Sequence, residues 1–370
     1  MRVLFTAVPI HGHLLPLLPL AQAVAAAGDV AAFAGPAVPV GLLGDIPLLV
    51  TGPEVGVLLA ENARRTGGAD LEADVGAVAE LFAGTLVDVT YDAALRQAAG
   101  FAPDVVVADE YDTVGPMVAA ALGVPLVRHA IGLPVSPPPL RPAMQVRLAA
   151  RYAARGLQRP ERLALVDPWP PALQEPGWTP AADRLAVRPV AYAGREPAEI
   201  PATRGGERVL VTLGTVLLDG GLLDALVDAV AGLDGVDVLA AVPPGVTRSL
   251  ADSRANVRFV GFVPMAQLLA ADVAVVVAAG GAGTVLAALG RGLPMVLWPK
   301  GAEKPMNAER VAAAGAGIVI DDAGSARVAV RKVLASPVYR LGAARIAEQI
   351  ASAPAAAEVW ATLRERIRKL

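Results

Sequence analysis

Two textures of apolar residues alternate along the chain. Short unbroken runs rich in Val and Leu read as parallel strands buried on both faces, and stretches with apolar residues three and four apart read as helices with one buried stripe. The opening "MRVLFTAVPIHGHLLPLLPLAQAVAAAG" is a β-rich run, a Gly/Pro loop, and a helical pattern ending at Gly28. From Glu207 to Leu233, "ERVLVTLGTVLLDGGLLDALVDAVAGL" repeats this plan, and the strands "RVLFT" and "RVLVT" differ at one position. Each half therefore reads as an open α/β domain that begins at its own first strand.

Within the first half, "PDVVVADEYDTVGPMVAAALGVPLVRHA" predicts a strand ending at Asp109, a helix stopped by Gly123, and a second strand. In the second half, "VDVLAAV", "VRFVGFV", "DVAVVVAA", "LPMVLWP" and "AGIVI" predict five further strands separated by helices. The Gly-, Pro- and charge-rich stretch 194–206 reads as a linker. The expected organisation is an α/β chain with a Rossmann-like domain over 1–193, the linker over 194–206, a second Rossmann-like domain over 207–354, and an amphipathic helix over 355–370. "GLPVSPPPLRP", residues 132–142, predicts an extended loop that either walls a binding pocket or simply connects elements.

Composition narrows the chemistry. The chain has 32 basic and 35 acidic residues, a net charge of −3, and no Lys/Arg cluster, so nothing marks a nucleic-acid binder. It has no cysteine, which excludes disulfides, thiolate metal sites and Cys nucleophiles, and only three histidines, too few for a histidine-rich metal centre. Residues 3–28 lack Asp, Glu, Lys and Arg, yet Pro9, His11, Gly12, His13, Pro16 and Pro19 interrupt the run where a signal or membrane-spanning helix is continuous. No membrane span and a cytoplasmic location are expected.

Three stretches could carry chemistry. The first, "VPIHGHLLP", places His11 and His13 at the carboxyl edge of the first sheet, where open α/β sheets bind ligands. A histidine there can take a proton near neutral pH if a carboxylate fixes its tautomer, and Asp109 ends another strand of that half; the alternative is a loop histidine hydrogen-bonded to backbone. The second, "VVVAAGGAGTVLAALG", runs through Ala279, Gly280, Gly281, Ala282, Gly283 and Thr284 into a helix starting near Gly283 or Thr284, whose free amides and dipole suit a phosphate; the alternative is a tight packing turn. Gly214 and Thr215 follow the first strand of the same half and offer further amides and a hydroxyl. Two such loops on one sheet edge favour a diphosphate. The third, "LWPKGAEKPMNAERV", carries Lys300, Glu303, Lys304 and Asn307, suited to sugar hydroxyls or phosphate, or else to a solvated loop.

Together, HGHxxP, the Asp109 strand end, "VTLGT", "GFVP", "GGAGT" and "GLPMVLWPKGAEKPMNAERV" resemble the nucleotide-sugar glycosyltransferases of actinobacterial natural-product pathways, within the UDP-glycosyltransferase superfamily. The resemblance implies the GT-B fold: two Rossmann-like domains facing across a cleft, acceptor domain first and donor domain second, with the final helix crossing back to the first. It implies an inverting, metal-independent transfer of a sugar or deoxysugar from a dTDP- or UDP-linked donor to an apolar small-molecule aglycone, with no cofactor beyond that nucleotide sugar.

Carried over, His13 is the general base, with His11 as alternative, and Asp109 orients it. Gly214 and Thr215 flank the diphosphate. Phe262 and Val263 meet the nucleobase, and Gly281, Ala282, Gly283 and Thr284 form the phosphate loop. Glu303 and Lys304 stand where Asp-Gln usually reads the donor sugar, and Ala279 stands where relatives carry a diphosphate-binding histidine. Lys300 or Lys304 could substitute for that histidine. His129 matches no motif and reads as a strand-end residue. The altered positions leave a degenerate binding relative as a second reading and a sugar-nucleotide epimerase as a third. A homodimer is compatible with the sequence.

Overall fold

In the computed structural model the described residues are 1–39, 41–71, 74–133, 140–215, 219–246 and 254–370. Among these residues, thirteen strands form two parallel sheets. The first sheet contains β1 (Arg2–Thr6), β2 (Val30–Pro36), β3 (Leu48–Gly52), β4 (Val105–Asp109), β5 (Leu126–His129), β6 (Arg162–Asp167) and β7 (Arg184–Ala186). Its order is β3-β2-β1-β4-β5-β6-β7. The second contains β8 (Glu207–Thr212), β9 (Val236–Ala241), β10 (Val257–Val260), β11 (Val273–Ala278), β12 (Met295–Leu297) and β13 (Gly317–Val319), in the order β10-β9-β8-β11-β12-β13. In both sheets the winding reverses beside the first strand, between β1 and β4 and between β8 and β11. Such a reversal opens a crevice at the carboxyl ends of the two strands, because the connections on either side leave toward opposite faces.

The strands are the continuous apolar runs of the sequence, and burial explains why they do not alternate. All five residues of β4 and all six of β9 are buried, since helices cover both faces of each sheet. The first sheet's cluster joins Leu4, Val106 and Ala108 to Leu86, Val87, Met117 and Val118 of the covering helices. The second joins Val209, Val211, Val238, Val275 and Val277 to Leu223, Leu226, Val227 and Val330.

Two compact units result. One comprises Met1–Pro168, Thr179–Arg188 and Pro354–Leu370; the other comprises Trp169–Trp178 and Pro189–Ala353. The terminal helix Ala356–Arg368 belongs to the first unit, where the Trp360 indole N–H donates to Asp29 at 3.0 Å and Arg364 pairs with the same carboxylate at 3.3 Å. Residues 194–206 contain no helix or strand. Gln267 of the second unit holds their first part, accepting from the Ala198 amide at 2.6 Å and donating to the Glu196 carbonyl at 2.9 Å.

Most of the expected loop 132–142 lies outside the described residues. Its end is helical, because Leu140–Ala154 forms a helix with Pro142 in the first turn, where the missing N–H costs no hydrogen bond. No helix among the described residues is long and apolar enough to cross a membrane.

Candidate active site

The crevice between β1 and β4 holds the titratable pair. After β1 the chain turns through Pro9 and Ile10 into the short helix His11–Leu14 and a 3₁₀ turn, Leu15–Leu17, which seats His13 against the end of β4. His13 is buried, and its Nδ1 lies 3.1 Å from Asp109 Oδ1. Asp109 is fully buried. Its Oδ2 accepts from the Val8 amide at 2.7 Å, and its Oδ1 accepts also from the amides of Tyr111 at 2.6 Å and Asp112 at 3.1 Å.

Burial alone would push the Asp109 carboxyl up. The facing His13 charge, the His13 hydrogen bond and the Val8 and Tyr111 amides outweigh it and hold the group below the ordinary carboxylate range. An ionised carboxylate only accepts, so Nδ1 carries the imidazole proton and Nε2 is left as the basic nitrogen. His11, on the same short helix, is half-buried, and burial lowers its pKa. The histidine seated on Asp109 is His13.

Further groups at this edge are invisible to motif reading. Asp112 caps the helix Val114–Leu122, accepting from Val114 at 3.0 Å and Gly115 at 2.9 Å. Burial and the Asp109 charge raise its pKa. Arg128 on β5 donates to the Asp112 carbonyl at 2.9 Å, and Glu110 pairs with Arg141. His129, at the end of β5 and in register with Asp109, is buried; its Nδ1–H donates to the Ala130 carbonyl at 2.7 Å, and burial pushes it down to about 4.

The second unit gathers its loops on its own reversal. Gly214 and Thr215 follow β8, and Ala279–Thr284 follow the adjacent β11, so both loops leave one sheet edge side by side. Gly214 adopts φ 78°, a left-handed conformation that favours glycine, and its amide donates to Thr212 Oγ1 at 3.2 Å. Helix Ala282–Gly290 begins with Gly281 as its cap, one residue earlier than the Gly283 expected from sequence. The amides of Ala282, Gly283 and Thr284 thus form its first turn, where N–H groups have no intrahelical acceptor.

The glycines divide by cause. Gly280 is required by the fold, with φ 88° and the Lys304 carbonyl 3.3 Å from where its Cβ would stand. A Cβ at Gly281 or Gly283 would meet nothing within 4 Å. Packing does not demand glycine at those two positions, and the bare backbone there leaves room for a group to approach its amides.

Ala279 is buried in the apolar cluster with Val277, Val296 and Trp298. Asn307 is fully buried, and its amide donates to the Gly280 carbonyl at 2.9 Å, so it holds the loop. Lys304 opens the helix Lys304–Ala313 and is largely buried, its Cβ close to Gly280. It forms no ion pair with a carboxylate among the described residues. The Lys300 ammonium instead lies 4.5 Å above the Trp298 ring, a cation–π contact. Glu303 precedes the Lys304 helix and is half-buried. Phe262 and Val263 follow β10, two strands from β8 at the edge of the sheet, and Phe262 is 48% exposed. No group of three or more His, Asp or Glu that could hold a metal ion occurs among the described residues.

Residues 16–214 match the N-terminal domain family of the erythromycin biosynthesis protein CIII-like proteins, and residues 224–366 match the corresponding C-terminal domain family. The chain belongs to this family.

It is a natural-product glycosyltransferase of the actinobacterial type, with the two doubly wound parallel domains of the GT-B class. It is similar to the elloramycin glycosyltransferase ElmGT of Streptomyces olivaceus, at 32% identity over 98% of this chain and 97% of that protein. Among solved structures it is similar to the glycosyltransferase SnogD from Streptomyces nogalater, with a TM-score of 0.83, 28% identity and 99% of each chain covered. It is also similar to the spinosyn rhamnosyltransferase SpnG. The SpnG complex with thymidine diphosphate gives a TM-score of 0.80 and the complex with spinosyn aglycone 0.79, each at 26% identity over 98% of this chain and 100% of SpnG. The described elements of this glycosyltransferase thus place one set of expected residues at each reversal: His13 and Asp109 in the first unit, and Gly214, Thr215 and the 279–284 loop in the second.

Proposed function

We propose that this glycosyltransferase transfers a sugar from a nucleoside-diphosphate donor to a hydroxyl of a small natural-product acceptor with inversion at the anomeric carbon. The observation that carries this reading is the His13–Asp109 pair: a buried imidazole held in one tautomer by a carboxylate that stays ionised. Nε2 takes the proton of the acceptor hydroxyl as its oxygen attacks the anomeric carbon, and the bond to the nucleoside diphosphate breaks on the opposite face. Asp109 stabilises the imidazolium that forms.

The leaving diphosphate is received by the first-turn amides of Ala282, Gly283 and Thr284, with Gly214 and Thr215 beside them. Backbone amides at a helix N-terminus stabilise that charge without a metal ion or further cofactor, and a chelator is expected to leave the rate unchanged. Ala279 brings no side-chain donor, and Lys304, buried and without a carboxylate partner among the described residues, supplies the charge on that side. Thymidine diphosphate bound to SpnG supports a TDP-linked donor, and the aglycone bound to SpnG supports a small-molecule acceptor. Phe262 and Val263, which follow β10, are the residues the family resemblance assigns to the nucleobase.

The test is stereochemical. Incubation with a TDP-hexose and an acceptor, followed by NMR of the product, is expected to give the anomeric configuration opposite to that of the donor. Retention would overturn the single-displacement reading. Absence of any stabilisation by nucleoside diphosphates in a thermal-shift screen would instead favour a degenerate binding relative.

A further inference from the structure

The run Asp109-Glu110-Tyr111-Asp112 sets three carboxylates together at the carboxyl end of β4. Asp109 and Asp112 are buried, and the Glu110 side chain is 10% exposed. Like charges so close in a poorly solvated place are costly unless cations face them. Arg141 pairs with Glu110. Arg128, half-buried on β5, faces the charges of Asp112, Asp109 and Glu110. The other titratable groups near the cluster bring no positive charge. Burial pushes His129 down to about 4 and Tyr152 up to about 12, so both are neutral near pH 7, and Asp167 on β6 adds negative charge toward Glu110.

Geometry ties Arg128 to His13 through Asp112. Arg128 Nη1 donates to the Asp112 carbonyl at 2.9 Å, the Asp112 amide donates to Asp109 Oδ1 at 3.1 Å, and that oxygen lies 3.1 Å from His13 Nδ1. The Asp112 carboxylate accepts from the Val114 and Gly115 amides at 3.0 and 2.9 Å. A Cβ at Gly115 would run into both Asp112 Oδ2 and Thr6 Oγ1, so β1, the turn after β4 and the helix Val114–Leu122 are closely packed there. Every hydrogen-bonding group of Asp112 is engaged. The strand itself does not call for an arginine: β5 lies between β4 and β6, and a strand flanked on both sides in a parallel sheet is ordinarily apolar. A guanidinium in such a strand is costly unless specific charges need it.

We infer that Arg128 is a positioning residue of the transfer reaction: from β5 it fixes the Asp112 turn and supplies the positive charge that balances Asp109, so that the carboxylate stays seated on His13. The inference rests on the reading of His13 as the base. Without that charge, protonation of Asp109 and of His13 both become easier, and each disables the pair, so activity is lost at a higher pH on the acid side. A residue that only braced the fold would alter rate at every pH alike.

The experiment uses the full chain and two substitutions. Arg128→Gln keeps a donor for the Asp112 carbonyl without the charge, and Arg128→Lys keeps the charge without the planar fork. Arg128→Met, which returns β5 to an apolar run, replaces the Gln variant if that does not fold. Proton–carbon NMR of the ring C–H groups titrates the three histidines, assigned with His11→Gln and His129→Gln. The His13 midpoint is expected to rise by about half a pH unit to one unit in Arg128→Gln and to stay within about 0.2 units of the parent in Arg128→Lys. In transfer from TDP-glucose to a hydroxylated anthraquinone, the acid limb of kcat should rise with it while KM stays within about twofold. An unmoved His13 midpoint in the uncharged variant, or an equal movement in Arg128→Lys, would overturn the inference. If the midpoint moves while the acid limb of the rate stays at its parental position, His13 is not the base and the transfer reading falls, whereas the charge balance assigned to Arg128 stands.

Discussion

Asp109→Asn is the most informative single-atom change at the base. The carboxylate accepts four hydrogen bonds, from Val8, His13, Tyr111 and Asp112. An asparagine has one oxygen to offer, and its NH₂ must face a donor whichever way it lies. The less costly orientation keeps the oxygen at the Oδ1 position, with His13, Tyr111 and Asp112, and turns the NH₂ toward the Val8 amide. One charge-assisted bond is then lost and a buried N–H is left unpaired, together costing about 2–4 kcal/mol. For a unit of this size that lowers Tm by about 5–15 °C. The imidazolium also loses its counter-charge, so kcat should fall about 10²- to 10⁴-fold by analogy with other His–Asp pairs. Steady-state transfer kinetics at a temperature where circular dichroism shows the variant folded separate the two effects. The parent's advantage should vanish in acid: the folded pKa of Asp109 lies below its ordinary 3.8, so its contribution is complete above that pH and is lost as pH falls further. A folded Asn variant with near-parental kcat, or a Tm deficit that grows below pH 3.8, would refute the reasoning.

Other predictions follow from the same geometry. His129 is neutral in the fold, with its pKa held at about 4 against an ordinary 6.5, so the unfolded chain binds more protons between those values and stability drops as pH falls. At 1.36 kcal/mol per pH unit, urea titrations should show the parent losing about 3 kcal/mol more than His129→Gln between pH 6.5 and 4. Gly280→Ala places a Cβ at φ 88° beside the Lys304 carbonyl. It should cost about 1–2 kcal/mol in denaturant unfolding and weaken nucleoside-diphosphate binding measured by calorimetry. Lys304→Ala should weaken nucleoside-diphosphate binding about ten- to a hundredfold, while Lys300→Ala, which gives up a contact to Trp298, should leave it within twofold.

Much of the fold was legible because fully buried parallel strands leave continuous apolar runs. RVLFT and RVLVT announced β1 and β8, and the five further runs of the second half all became strands. Asp109 was legible because it ends such a run. The resemblance pointed to His13 over His11, but composition and spacing alone left both open, since residues two apart differ only in which one the short helix His11–Leu14 turns toward β4. Asn307 illustrates the opposite case: in sequence it reads as a donor-binding candidate beside Glu303 and Lys304, and only its burial reveals that its amide braces Gly280. The π-helical turn Leu81–Thr85, which carries Phe82, had no sequence signal. A π insertion shifts helical periodicity by one residue inside "AELFAGTLVD", and the residues that hold it, Asn62, Arg147 and Thr113, come from three separate segments.

The most direct measurement is a paired assay on His13→Ala, with glycosyl transfer from a TDP-sugar followed by product chromatography and thymidine diphosphate binding followed by calorimetry. Loss of transfer by three orders of magnitude or more, with nucleotide affinity unchanged, is the expected result, since the base lies in one unit and the phosphate loop in the other. Transfer at the parental rate by His13→Ala would contradict the account.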